Sequence, residues 1–311
     1  MNILNKILVP GIQIMPRGIV RVFANKYIAG DKLSDAVSTV KALNSKKLMA
    51  TMDVLGESIK DRNEAIRSKD ENLEVLEAIS NSKLDCNLSI KLTMLGLNID
   101  YDLCLGLVRE ILDKAKKLNI FVRIDMEDSS VTDLTIKIYE TARKEYDIVG
   151  IVIQAYLRRS EKDILKLTES KANFRICKGI YVEPEEIAFK DADEIRKNFL
   201  KILRIAFERK AYCGIATHDE YLIKESVNMI KEMGLKTNEY EFQMLLGVRE
   251  NLRDSATEKG HRMRVYVPFG QRWYEYSIRR FKENPNIAGQ VLKSIFSSEK
   301  IDRESIGKSV N

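Results

Sequence analysis

Apolar and polar positions along this chain follow two alternating rhythms. Short apolar runs recur as "KLMATMDVLG" (47–56), "LSIKLTMLG" (88–96), "NIFVRIDME" (119–127) and "IVGIVIQAYL" (148–157). They continue as "FRICKGIYV" (174–182), "YCGIATHD" (212–219), "YEFQMLLGV" (240–248) and "MRVYVPFG" (263–270). Each run has the length of a strand and is rich in β-branched or aromatic residues. The stretches between them are charged and helical in period, as in "DEIRKNFLKILRIAFERK" and "YLIKESVNMIKEMGLK", with Gly234 placed to end the second helix. Strands alternating with helices predict a parallel sheet with crossover connections. Eight such units in about 270 residues fit a distorted (β/α)₈ barrel better than an open sheet. No GxGxxG follows the first strand, so the dinucleotide fingerprint of a doubly wound fold is missing. Residues 1–45 read as an N-terminal helical arm and 46–311 as one barrel domain, with a helix after the last strand lying over the barrel mouth.

Composition narrows the function. The 311 residues are 44% hydrophobic, enough for a sizeable core, and the net charge of +6 arises from 52 basic and 46 acidic residues mixed along the chain. That mild bias suits an anionic ligand or membrane surface, and no basic tract interleaved with aromatics points to nucleic acid. Cys86, Cys104, Cys177 and Cys213 lack CxxC spacing, and there are two histidines, so no metal site or disulfide framework is expected. Neither a signal peptide nor a run of about 18 apolar residues is visible, which predicts a soluble protein of a reducing, cytoplasmic compartment.

Polar residues fall where a barrel keeps its chemistry, at the C-terminal ends of strands. Lys91, Asp125, Glu127, Gln154, Arg175, Lys178, Thr217, His218, Gln243 and Tyr266 occupy seven such ends. Singly, each has an ordinary explanation: a snorkelling lysine, a helix cap, a hydrogen-bonded core histidine. Together they describe a mouth for a ligand with several negative charges, or for a phosphorylated cofactor beside a carboxylate substrate. The segment "RWYEYSIRR" (272–280) adds two consecutive arginines behind three aromatic residues. On a helix, Arg279 and Arg280 project about 100° apart, and guanidinium forks match carboxylates.

At these residues the chain resembles a known family. "IKLTMLGLNID", "VRIDMEDS", "VGIVIQAYLRRS", "RICKGIYVEP", "IATHDE", "YEFQMLLGVRE" and "VYVPFGQRWYEYSIRR" are similar, in order, to the signature segments of proline dehydrogenases of the monofunctional bacterial branch, and to the matching domain of bifunctional proline utilisation proteins. The resemblance covers residues from about 45 to 290. It implies a (β/α)₈ barrel holding non-covalent FAD, and oxidation of L-proline to Δ1-pyrroline-5-carboxylate by hydride transfer to the flavin. It implies catalytic roles for Asp125 and Arg175. Lys91, Arg279, Arg280, Tyr266, Tyr276, Tyr181 and Ile176 would bind substrate. Met126, Gln154, Arg175, Lys178, Gly179, Ile180, Thr217 and His218 would contact flavin. Expected partners are L-proline, a quinone-type electron acceptor reached by peripheral membrane contact, and a separate pyrroline-5-carboxylate dehydrogenase. Ile180 stands where the family usually has alanine, Leu246 where tyrosine or histidine is common, and Cys177 where an aliphatic residue is. Hydroxyproline oxidation is an alternative, since one hydroxyl changes little in an apolar pocket. A Schiff-base aldolase using Lys91 or Lys178 is another, and a catalytically dead binding module a third.

Overall fold

A computed structural model of the chain describes residues 17–278, except 57, 58, 60, 171 and 275. Of the described residues, 27–270 form one compact unit, and 17–26 with 271–278 belong to a second. The first unit is a closed barrel of eight parallel strands in sequence order. They are β1 (Met49–Val54), β2 (Cys86–Ile90), β3 (Val122–Ile124), β4 (Val149–Gln154), β5 (Asn173–Cys177), β6 (Tyr212–Ala216), β7 (Tyr240–Leu245) and β8 (Met263–Phe269). All eight overlap the predicted apolar runs, β2 starting two residues and β5 one residue before its run. β8 closes on β1 with Thr51 opposite Tyr266 and Val54 opposite Phe269.

Alternation along each strand separates two environments. Leu88, Ile90, Val122, Ile124, Phe174 and Phe242 are buried in the apolar layer between sheet and helices. The intervening positions turn inward and are unusually polar for a barrel: Ser89, Arg123, Arg175, Glu241, Gln243 and Arg264 are all buried. Barrel interiors are more often filled by branched apolar side chains. Here charges are held by partners, as when Arg264 Nε donates to Glu241 Oε1 at 2.7 Å, because an unpaired buried charge is too costly to keep.

The crossover helices follow from their own sequences. The helices are α1 (Arg17–Tyr27), α2 (Leu33–Ser45), α3 (Arg62–Asn81), α4 (Tyr101–Leu118), α5 (Thr132–Glu145), α6 (Ser160–Leu167), α7 (Ala192–Glu208), α8 (Glu220–Glu232) and α9 (Glu250–Glu258). In α4, Cys104, Leu105, Val108, Ile111, Leu112 and Ala115 repeat at helical spacing and are buried against the sheet. Asp100 starts that helix by accepting from Leu103 N at 3.0 Å, and Asn119 ends it in the left-handed region. Gly234, at φ +63°, follows α8 as its sequence predicts. α2, expected as part of a separate arm, buries Ala36, Val40 and Leu43 and packs on β1 and β8 within the barrel unit. In the second unit, the Arg21 guanidinium lies 4.7 Å from the Trp273 ring centre.

Candidate active site

The ends of β1, β2, β3, β5 and β8 converge on one carboxylate. Asp125 directly follows β3, anchored by its backbone N–H to Ile90 O at 2.9 Å. Its Oδ1 accepts from Arg175 NH1 at 2.6 Å and from Ser89 Oγ at 2.7 Å. Its Oδ2 accepts from the Tyr266 hydroxyl at 2.9 Å and lies 4.0 Å from Lys91 Nζ. The Arg175 guanidinium also sits 5.1 Å from the Tyr266 ring centre, a cation–π approach that fixes both groups. Lys91 makes its close ion pair with Asp53. Asp53 was not among the expected residues; a lone acid inside the otherwise apolar "TMDVLG" is the signal for it, since a carboxylate inside a strand of a closed sheet demands a cation. Ser89 was missed for lack of any such signal.

Electrostatics here favour charged, paired groups. Burial acts to depress the Lys91 ammonium, but the charges of Asp53 and Asp125 outweigh it and hold its pKa above the ordinary lysine value. Such a lysine is a poor Schiff-base nucleophile, which needs a depressed pKa. Cys177, at the end of β5, is also no nucleophile: burial pushes its thiol up to about 11.

A second group of residues lies around the ends of β4, β5 and β6. Gln154 is buried, and its amide donates to the carbonyls of Met126 at 3.3 Å and Glu127 at 2.8 Å, tying β4 to the turn after β3. Lys178, on the turn after β5, is 44% exposed and pairs with Asp219 at 3.1 Å. Asp219 also accepts from Arg196 Nε at 2.8 Å and caps α8 through Tyr221 N. Thr217 is buried and its Oγ1 accepts from Asp219 N at 3.1 Å. His218 Nε2 accepts from Leu245 N at 2.9 Å, so the site uses that nitrogen unprotonated. Gly179 has φ +105°, and a Cβ there would sit 2.2 Å from the Tyr156 ring. The glycine therefore permits a turn that no side chain would allow. Beyond it, Ile180 is 42% exposed and Tyr181 half-buried.

One expected residue takes a different face of its strand. Ile176 was expected to wall the substrate pocket. It alternates with the inward-facing Arg175 and is fully buried on the other face of β5. Glu127 is held beside the end of β2: its carboxylate accepts from the backbone N and hydroxyl of Thr93 at 3.2 and 3.1 Å. Tyr276 is buried in the second unit. Arg279 and Arg280 lie outside the described residues. Among the described residues no group of three metal-binding side chains occurs, and no helix is long and apolar enough to cross a membrane.

This arrangement holds two cations against two carboxylates at the mouth, beside a glycine turn and a buried amide. The donor set around Gly179, Lys178, Thr217 and Gln154 has the chemistry for a phosphate-bearing, partly planar group: a cation, a hydroxyl, and backbone open to close approach. Comparison with known proteins gives this a context. The family model for proline dehydrogenase matches residues 36–293. Proline dehydrogenase 1 of Bacillus subtilis subsp. natto is 39% identical over 275 residues, covering 88% of this chain and 91% of that protein. The proline dehydrogenase of Deinococcus radiodurans is 32% identical over 291 residues, covering 92% and 94%. Among solved structures, proline utilization A (PutA) from Bdellovibrio bacteriovorus inactivated by N-propargylglycine superposes with a TM-score of 0.78 at 24% identity, over 89% of this chain and 34% of that one.

Proposed function

Because this chain belongs to the proline dehydrogenase family and is an enzyme of that kind, we propose that it oxidises L-proline to Δ1-pyrroline-5-carboxylate using non-covalently bound FAD. The observation that carries this reading is the cluster of Asp125, Arg175, Tyr266 and Lys91 at the barrel mouth. When bound, the flavin supplies the hydride acceptor at its N5. Met126, Gln154, Arg175, Lys178, Gly179, Ile180, Thr217 and His218 are the residues proposed to hold it. The remaining work belongs to the chain's own side chains, which bind and orient the substrate.

Lys91, Arg279 and Arg280 take the proline carboxylate in this reading, while Tyr266, Tyr276 and Tyr181 wall the ring. Hydride transfer offers no charged handle at the reacting carbon, so binding energy at the remote carboxylate positions that carbon. Asp125 holds Arg175 and Tyr266 in place and keeps two neighbouring cations compatible. The proton of the substrate ammonium passes to solvent. A quinone-type compound takes the electrons onward, with peripheral contact to a membrane, and a separate pyrroline-5-carboxylate dehydrogenase consumes the product.

The visible spectrum of the purified protein tests this directly. A yellow protein whose oxidised-flavin bands bleach on adding L-proline is the expected result. A colourless protein that traps a carbonyl substrate with borohydride would replace this reading with aldolase chemistry, which the elevated Lys91 pKa disfavours.

A further inference from the structure

A line of hydrogen bonds runs through the barrel interior beneath Asp125. Arg175 Nε donates to Gln243 Oε1 at 2.6 Å. Gln243 Nε2 in turn donates to Glu241 Oε1 at 2.6 Å. Glu241 is held at the bottom of the line by Arg264, through Nε at 2.7 Å and NH2 at 3.1 Å, and by the Tyr212 hydroxyl at 2.8 Å. All of Arg175, Gln243, Glu241 and Arg264 are buried.

The chemistry of the neighbours permits Gln243 one amide orientation. Arginine Nε is a donor and can meet only the amide oxygen. A carboxylate is an acceptor and can meet only the amide NH₂. Reversing the amide would oppose donor to donor and acceptor to acceptor at both ends. Space beside it is reserved as well. A Cβ on Gly214, in the adjacent strand, would lie 2.3 Å from Gln243 Nε2 and 2.9 Å from its amide carbon. The glycine makes room for the amide rather than for a turn.

At its NH1 end, Arg175 is anchored to Asp125 at 2.6 Å and to Ser89 Oγ at 3.3 Å. An anchor at that end alone leaves the guanidinium plane free to swing about it. The bond from Nε to Gln243 removes that freedom, because a planar fork fixed at two edges has a defined plane.

We infer that Gln243 is a positioning residue that sets the plane of Arg175 from below, with Gly214 providing its space and the Glu241–Arg264 pair its fixed base. The inference rests on the functional reading above, in which Arg175 lies beside the flavin. It adds a component in the barrel wall that touches neither substrate nor cofactor.

The test uses the full-length, flavin-loaded enzyme and two substitutions that perturb the link in different ways. Gln243→Met removes both amide bonds. Gly214→Ala removes no polar group and only crowds the amide. Both are expected to lower kcat on the order of tenfold to a hundredfold, as a displaced active-site group does. KM for proline is expected to change much less, and the flavin midpoint potential to move from the wild-type value in both. The double variant is expected to be no worse than the worse single one, since both act through one link. Should Gln243→Met fail to fold, Gly214→Ala decides. Unchanged kcat and midpoint potential in flavin-loaded Gly214→Ala overturns the inference while leaving the functional reading intact. A wild type without flavin or proline turnover overturns both.

Discussion

Asp125 is the residue on which the mouth depends, because it accepts from Arg175, Ser89 and Tyr266 at once. Replacing it with alanine leaves Arg175 without its carboxylate partner and takes a nearby carboxylate from Lys91. Breaking a buried ion pair on one side costs roughly 3–5 kcal/mol. Asp125→Ala should therefore lose proline oxidation and unfold at lower urea, while Asp125→Asn, which keeps acceptor capacity, should recover much of the stability and little of the activity. Equal urea midpoints for Asp125→Ala and the wild type would show that the cluster is not held by this carboxylate. Glu241 gives a second residue-level test through pH. Burial acts to raise its pKa, but the Arg264 charge and hydrogen bonds from Arg264, Tyr212 and Gln243 outweigh burial and hold it at about 2, below the ordinary 4.5. The unfolded chain takes up this proton first, so the stabilisation is complete above about pH 4.5 and drains away as pH falls towards 2. The gap between the two values corresponds to about 3 kcal/mol. Urea midpoints measured down this range should fall more steeply for the wild type than for Glu241→Gln, and parallel curves would count against the assignment.

At the scale of elements, the turn leaving β5 carries the clearest prediction. Gly179→Ala places a methyl group against the Tyr156 ring at a backbone angle that alanine rarely adopts. It should purify with less flavin and reduced stability. Lys178→Ala, on an exposed side chain beside it, should lose flavin while circular dichroism and melting stay near wild type, and stoichiometric flavin in Lys178→Ala would remove that lysine from the cofactor site. All eight strands were legible in the sequence, because strand-length apolar runs bounded by polar residues encode the sheet directly. Which face each strand residue takes was less legible. A buried parallel strand is apolar on both faces in most proteins, so Ile176 in "FRICKG" gave no sign that it points outward while Arg175 points in. The same ambiguity hid Asp53, whose role depends on Lys91, 38 residues further along the chain. Register across the barrel decides that pairing, and a linear pattern does not contain it.

Charge balance across the whole molecule bears on how the substrate is held. Among the described residues of the mouth, Lys91 and Arg175 stand against Asp53 and Asp125. Lys178 is paired with Asp219, which Arg196 shares. Two cations against two anions leave little surplus positive charge for an incoming carboxylate. The proposed function assigns that surplus to Arg279 and Arg280, the adjacent pair that ends "RWYEYSIRR". If both arginines hold the proline carboxylate, loss of one charge-assisted pair in a desolvated site should cost about 2–4 kcal/mol, or roughly 30- to 1000-fold in proline affinity. Lysine should rescue neither position, because an ammonium offers no planar fork. Flavin content should survive in Arg280→Met, since the residue is assigned to the substrate side. Pyrrolidine, which carries no carboxylate, should be a poor substrate for the wild type and nearly indifferent to the substitution. Tetrahydro-2-furoic acid, which keeps the carboxylate on a five-membered ring but lacks the amine, should inhibit the wild type and fail against Arg280→Met. Steady-state kinetics with these three compounds separate the roles: equal losses for proline and pyrrolidine would mean that Arg280 serves the fold or the flavin, and the carboxylate would need another partner.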